Sequence, residues 1–457
     1  MPDTKNEPTR TLIAAVEAIA LERLPRDVVV RAKDLILDHL GVSLYGTNLE
    51  WCRIVRDTIE LEGGRSESTV YGGGFATARN AALINGTAGH AIELDDAHDE
   101  SLSHPGCVVI PSALAVAEAK KANGADFLAA VVAGYEAQGR IGAALSGALI
   151  KQGYHPTAQI GVFGAAAAAA KLLKLPEREF TWAFGLAGSM ASGIMKFTQD
   201  PEGTMVKRLH AGMPAERGIL AATLASAGFT GPRAIVEGDY GYAKIFTGIT
   251  DLSRMTQRLG ESFEISSISV KLYACCRMFH ALIEAIAACR ADPSFAADQI
   301  EEIRTFGPAN MIDGHLERRP LSPMSAQYSL PYTTAVAVLA DASQPASFDT
   351  ETMMRTDILA MGDRVKATVD PALEALYPRK YASRVQFVLR NGKTIEKTVL
   401  DSRSTPANPI SSSAIQEKFL SVTSGLLLPS RQDMIIDAVM SLDKATDVSG
   451  LAALLRK

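Results

Sequence analysis

Six consecutive alanines, Ala165–Ala170, stand inside the segment "GVFGAAAAAAKLLKL". Alanine is the strongest helix former, but its side chain is small, so a helix of this kind is stabilised by burial only where neighbouring helices approach closely. The segment therefore predicts a buried helix in a dense bundle. Others share its texture: "RAKDLILDHLGVSLYG", "ARNAALINGTAGHAIELDD", "PSALAVAEAKKA", "DFLAAVVAGYEAQGRIGAAL" and "PAERGILAATLASAGFTGP" carry apolar residues at helical spacing, with abundant Ala and Gly. Residues 10 to about 262 read as helices almost throughout.

After "GESFEISSISVK" the pattern changes. "EEIRTFGPANM", "RVKATVDPAL" and "SRVQFVLRNGKTIEKTVL" alternate as strands do, and Asn391-Gly392 is a hairpin signal. "CRMFHALIEAIAACRAD" and "YSLPYTTAVAVLADAS" between them read as helices, and "SAIQEKFLSVTSGLL" and "RQDMIIDAVMSLD" return to helix at the end. The expected fold class is mainly α: a large helical domain beginning at 1–265, a smaller inserted α+β domain over 266–402, and helices over 403–457 that return to the first domain. A chain of 457 residues has the length for two such cores.

A net charge of −5 with scattered Lys and Arg leaves no basic stripe for nucleic acid or for a membrane surface. The apolar runs fall short of the roughly 18 residues of a membrane span. The amino terminus "MPDTKNEPTRTL" lacks the order of a secretory signal, and five cysteines without a C-x-x-C pair suit reduced thiols, so a cytoplasmic location is expected. The same cysteine pattern argues against an iron–sulfur hydro-lyase. The expected partner is a small molecule.

Four stretches carry candidate chemistry. "HAIELDDAHDESLSHPG", residues 90–106, packs three histidines and five carboxylates into seventeen residues. A helix running from Ala78 to Asp96 would put His90 and Glu93 on one face and Asp95 and Asp96 off it, followed by a loop that ends at His104-Pro105. In "KQGYHPTAQIGVFG", Tyr154 and His155 precede a helix whose amino-terminal N–H groups favour a carboxylate ligand. "QDPEGTMVKRLHAGMPAERG" gathers Lys207, Arg208 and His210 ahead of a helix start expected at Pro214. "SISVKLYACCRMFHALIEA" places Lys271 at a strand end where the second domain begins, a preferred position for an interdomain cleft.

His98 and His104 with Asp95 and Asp96 offer a conceivable metal set, but neither H-E-x-x-H nor zinc spacing occurs, so no metal is expected. No phosphate-binding loop or strand-bound G-x-G-x-x-G is present, so no cofactor is expected either. His, Lys, Tyr and carboxylates without a cofactor suit proton abstraction beside a carboxylate, with cations stabilising the charge that develops. Elimination, decarboxylation and epimerisation share that requirement, and residue types alone leave the three open.

"NGTAGHAIELDDAH", "SHPG", "YHPTAQIGVFGAAAAAAKLL", "GTMVKRLHAG" and "KLYACCRMFH", in that order and spacing, resemble the MmgE/PrpD family of 2-methylcitrate dehydratases, cis-aconitate decarboxylases and iminodisuccinate epimerases. The resemblance covers nearly the whole chain. It implies a helical domain with a smaller inserted domain, a homodimer, and a di- or tricarboxylate substrate. Active-site positions of the decarboxylase branch fall at Glu93, His104, His155, Lys207 and Lys271. That branch's threonine after the acidic pair is Ala97 here, its loop before the histidine is one residue shorter, and its active-site tyrosine falls near Met311. The dehydratases carry a longer insertion ahead of a His-Pro-Ser-Asp stretch, where this chain has His104-Pro105-Gly106-Cys107.

The leading expectation is a cofactor-independent, dehydratase-like lyase. An epimerase of an amino- or imino-dicarboxylate such as iminodisuccinate is the alternative, and a cis-aconitate-type decarboxylase a further one. Glu93, His104 and Tyr154 would exchange protons, Lys207, Lys271 and His155 would hold substrate carboxylates and stabilise charge, and Asp96, His98 and His210 would join them in binding the substrate.

Overall fold

A computed structural model of the chain describes residues 7–145, 147–200, 204–377 and 379–457. The alanine run lies in the helix Pro156–Leu172, and all six alanines are fully buried. Helices Gly106–Lys120, Gly124–Leu145, Glu177–Ser189 and Val206–Ser226 pack around it. Close approach depends on facing small residues: a Cβ on Gly218 would lie 2.3 Å from Ala165 Cβ, and one on Gly212 would lie 2.2 Å from the Leu83 carbonyl oxygen. The second contact brings the helix Ala78–Gly89 against Val206–Ser226 almost backbone to backbone.

Pro214 does not start a helix as expected. It lies inside Val206–Ser226, which begins before Lys207, so Lys207, Arg208 and His210 occupy its first turns. The first core runs from Leu12 to Val270 and takes in Ile415, Phe419, Ile435 and Val439 of the returning helices Ser412–Val422 and Pro429–Met440.

A second core runs from Ala274 to Ile395. Its sheet has the order Val365–Val369, Ile300–Gly307, Ser383–Leu389, Thr394–Val399, with the first pair parallel and the others antiparallel. Along Ser383–Leu389 every second residue is buried, as a strand with one covered face requires, and the helix His280–Arg290 packs against that strand and its neighbour. At the hairpin turn Gly392 takes φ +80° while Leu389 and Lys393 close the loop, so glycine fills the left-handed position. The fold is mainly α with a smaller α+β part, as expected.

Two features join the cores. Ala88, Ala91, Ile92 and Leu94 leave the first helical segment and pack into the second core. A short antiparallel pair sets Ala97 opposite Ser269 and His98 opposite Ile268, which brings the turn after Gly89 beside Lys271. Among the described residues, no helix is long and apolar enough to cross a membrane.

Candidate active site

The helix expected to reach Asp96 ends at Gly89, with His90 at its carboxyl-terminal cap. Gly86, Gly89 and the apolar run Ala91-Ile92 permit this: the chain turns out of the bundle to bury Ile92 and Leu94 in the other core. His90 and Glu93 are therefore not related by a helical face. Glu93 instead adopts φ +54°, a costly conformation for a residue with a side chain, and its carboxylate points into a nest of donors.

That nest is the centre of the site. Lys207 donates to Glu93 Oε1, Arg208 donates to the same oxygen at 2.7 Å, and Lys271 donates to Oε2 at 3.1 Å. The Tyr328 hydroxyl donates to Oε2 at 3.2 Å and accepts from Lys207 at 2.8 Å. Glu93, Lys207, Arg208 and Lys271 are each no more than 3% exposed. Burial alone would raise the Glu93 pKa, but Lys207, Lys271 and Arg208 outweigh it and hold the carboxyl well below its usual range.

The two lysines move in opposite directions. Burial, helped by the charges of Arg208 and Lys271 against the pull of Glu93, lowers Lys207. Burial acts on Lys271 as well, but Glu93 and Asp95 outweigh it, and Lys271 is raised. Lys207 is thus the lysine better able to release a proton, and Lys271 remains a fixed cation.

Four imidazoles line up beside this nest. The ring of His90 is 5.0 Å from that of His104 and 5.8 Å from that of His155, and His155 is 5.1 Å from His210; Phe197 packs edge-on to the last two. His104 Nδ1 lies 2.7 Å from the Asp96 carbonyl oxygen, which can only accept, so Nδ1 carries the proton and Nε2 the lone pair. Burial pushes His104 down to about 3, so it is neutral at neutral pH, in the form of a base. His90 Nδ1 lies 2.7 Å from Asp95 Oδ2, and the same oxygen is 3.4 Å from His104 Nδ1. Burial also depresses His90, His155 and His210, the last to about 4.

His155 precedes Pro156 at its helix start as expected, but its side chain does not cap the helix; its Nδ1 meets His210 Nδ1 at 3.0 Å. His104, Glu93, Lys207, Lys271, His155 and His210 are therefore gathered in one place.

The side chains of three other candidates are engaged with partners outside that cluster. Asp96 accepts from the Gly106 amide at 2.9 Å and from the Tyr135 hydroxyl at 2.6 Å, so its carboxyl fastens the His104-Pro105-Gly106 turn, and burial pushes it up to about 7. His98 accepts from the Ser101 amide and donates to Glu264, which Arg254 also binds. Tyr154 packs edge-on to Phe246, which in turn lies against Tyr242.

Sequence reasoning missed Tyr328 and Gln327, set Asp95 off the face of the site, and did not assign Arg208 its part. Gln327 accepts from Arg208 at 3.1 Å and donates to the Ile92 carbonyl oxygen at 2.8 Å. One signal was present: Ser322-Pro323 and Ser329 bracket "MSAQY" with two helix caps, which fixes a single-turn segment, although nothing in that pattern says what it faces.

Among the described residues, two groups have metal-like geometry. His90, Asp95 and Cys107 come together, but their protons are already assigned: His90 donates to Asp95, Cys107 donates to the His104 carbonyl oxygen, and burial raises the thiol well above its usual range. His98, Glu100 and Glu264 form the other, and Arg254 neutralises both carboxylates. Neither donor set is matched to a cation.

The MmgE/PrpD N-terminal domain matches residues 10–255 and the MmgE/PrpD C-terminal domain residues 273–444. The chain belongs to the MmgE/PrpD family. It is 31% identical to a cis-aconitate decarboxylase-like protein, oryM, of Aspergillus oryzae, over 94% of each chain. It is 29% identical to the cis-aconitate decarboxylase of Aspergillus terreus, over 96% of this chain and 93% of the relative, and 26% identical to that of Mus musculus, over 98% and 93%.

Proposed function

We propose that the protein is a cofactor-independent lyase that forms a carbanion beside a carboxylate of a small tricarboxylate, with decarboxylation of an aconitate-like substrate as its reaction. The observation that carries this reading is the charge of the buried nest: Lys207, Lys271 and Arg208 all bond the single ionised carboxylate of Glu93, and the other anion, Asp95, acts on Lys271 and is bonded by His90, so the site holds a cationic excess away from water. In such surroundings fixed cations stabilise developing enolate charge far better than solvent does. The relatives' names favour loss of carbon dioxide over loss of water.

Dehydration is the second reading, and the state of His104 favours it. A neutral imidazole with a free Nε2 is suited to removing an α-proton, which elimination needs and decarboxylation does not. The homodimer implied by the family resemblance belongs to this proposal as well, and light scattering on the purified chain tests it.

The deciding experiment is proton NMR of the purified protein in D₂O with cis-aconitate, citrate and methylcitrate, alongside a carbon dioxide assay. Release of carbon dioxide from cis-aconitate, with a new methylene product, supports the decarboxylase. Vinyl signals from a hydroxy acid without carbon dioxide replace it with a dehydratase, and inversion without loss of mass replaces both with an epimerase.

A further inference from the structure

Resting on the decarboxylase reading, we propose that Tyr328 and Lys207 form a proton relay that protonates the carbanion left when carbon dioxide departs. When the carbon–carboxylate bond breaks, its electron pair stays on carbon. The Tyr328 O–H bond then breaks as the new C–H bond forms, and an N–H of the Lys207 ammonium passes its proton to the phenol oxygen. Lys207 is left neutral and regains a proton from water before the next turnover. No other reactant is required.

The geometry supplies each part. Tyr328 is simultaneously an acceptor from Lys207 and a donor to Glu93, so its proton and its lone pair are both oriented. That donation is the one the nest can spare, because Glu93 already accepts from three cations. The Lys207 ammonium also sits 5.1 Å from the centre of the Tyr328 ring, and His315 stacks on that ring at 6.0 Å, which fixes its plane. The backbone on either side is pinned: Ser322 and Ser325 form a reciprocal cap before the residue, and Ser329 caps the helix after it.

The surroundings select Lys207 over Lys271 as the source. Lys207 faces Arg208 from its own helix, Lys271 from the strand end and His90 and His155 from the imidazole row, with Glu93 as its counter-ion, and its pKa is lowered. Tyr328 faces Glu93, Cys276, Arg208 and His315 and stays protonated at neutral pH. A phenol held neutral beside a weakened ammonium is arranged to hand on a proton rather than to store charge.

The test uses the full chain with cis-aconitate, comparing wild type, Tyr328→Phe and Lys207→Arg between pH 6 and 9.5. The relay requires kcat of Tyr328→Phe to fall by about 10²-fold or more with KM changed by less than about threefold. It also requires Lys207→Arg, which keeps the charge but does not release its proton, to lose kcat by a similar factor, and any alkaline decline of wild-type kcat to be absent from its residual activity. A Tyr328→Phe chain with wild-type kcat, or one in which only KM rises, overturns the relay and leaves the phenol a substrate contact. A Lys207→Arg chain with wild-type kcat overturns it equally, even if Tyr328→Phe fails to fold. A wild-type chain inert toward cis-aconitate overturns the decarboxylase reading and the relay together.

Discussion

Lys271 donates to Glu93 Oε2 at 3.1 Å across the seam between the two cores, while Lys207 and Arg208 hold the other oxygen from the helical side. Glu93 is thus the shared counter-ion of cations drawn from two distant stretches of the chain. Replacing one partner of a buried ion cluster leaves the remaining charges uncompensated and costs about 3–5 kcal/mol. Glu93→Gln keeps the shape and removes the charge, so urea denaturation is expected to show a loss of that size. A variant as stable as wild type would mean that the three cations do not depend on Glu93.

The fold was legible where local pattern and burial agree. The alanine-rich helix, the alternation along Ser383–Leu389 and the Asn391-Gly392 hairpin each state their environment within a few residues. The end of the helix at Gly89 was not legible, because helical spacing continues through Glu93 and the chain leaves the helix only to bury Ile92 and Leu94 in a core built from residues some 200 positions later. At the site, titratable residues near turns singled out Glu93, His104, His155, Lys207 and Lys271 in separate stretches, and only the family resemblance joined them as a set. Tyr328 escaped because its significance lies in partners from a distant helix and turn, and the turn-fastening bonds of Asp96 escaped because a carboxylate that caps a turn looks the same in sequence as one that meets a substrate.

His104→Gln separates chemistry from packing. Removing a general base costs about 10²–10⁴ in kcat, and a loss of that order with KM little changed is expected under the dehydration reading, in which His104 takes the α-proton, whereas decarboxylation requires no such base. The substitution also changes stability with pH. Folding lowers the His104 pKa from about 6.5 in an unfolded chain to about 3. Its neutral form therefore supports the fold fully above pH 6.5, and that support is lost as pH falls toward 3. Between pH 6.5 and 5 the wild type should lose about 2 kcal/mol that His104→Gln does not, because glutamine has no proton to take up. Parallel urea midpoints of the two chains at pH 5 and 7.5 would reveal an imidazole that is ordinarily basic.

Tyr154→Phe is expected to be silent. The ring of Tyr154 packs edge-on to Phe246 at 5.3 Å, and phenylalanine preserves that contact. Turnover within about twofold of wild type, and stability within about 0.5 kcal/mol, are the expected results. A hundredfold fall in kcat with the fold intact would return Tyr154 to the chemistry and require its hydroxyl to swing away from the aromatic cluster.

Asp96→Asn has the opposite pH signature to His104→Gln. Burial raises the Asp96 pKa to about 7 in the fold, against about 3.9 in an unfolded chain. A raised acid favours the folded state fully below pH 4 and loses that contribution as pH climbs through 7. Wild-type stability should accordingly decline by about 1 kcal/mol per pH unit between 4 and 7 on account of this group. Asparagine imitates the protonated carboxyl: its oxygen can accept from Gly106, and its amide can donate to the Tyr135 oxygen, so the His104-Pro105-Gly106 turn stays fastened. The difference in unfolding free energy between Asp96→Asn and wild type should then shift in favour of the variant as pH rises from 5 to 7. Taking the difference also cancels Glu136, which burial likewise lifts to about 7 and which contributes with the same sign in both chains. A difference that does not vary with pH would show that Asp96 is ionised in the fold, and that the turn carrying His104 is held by a charged rather than a neutral cap.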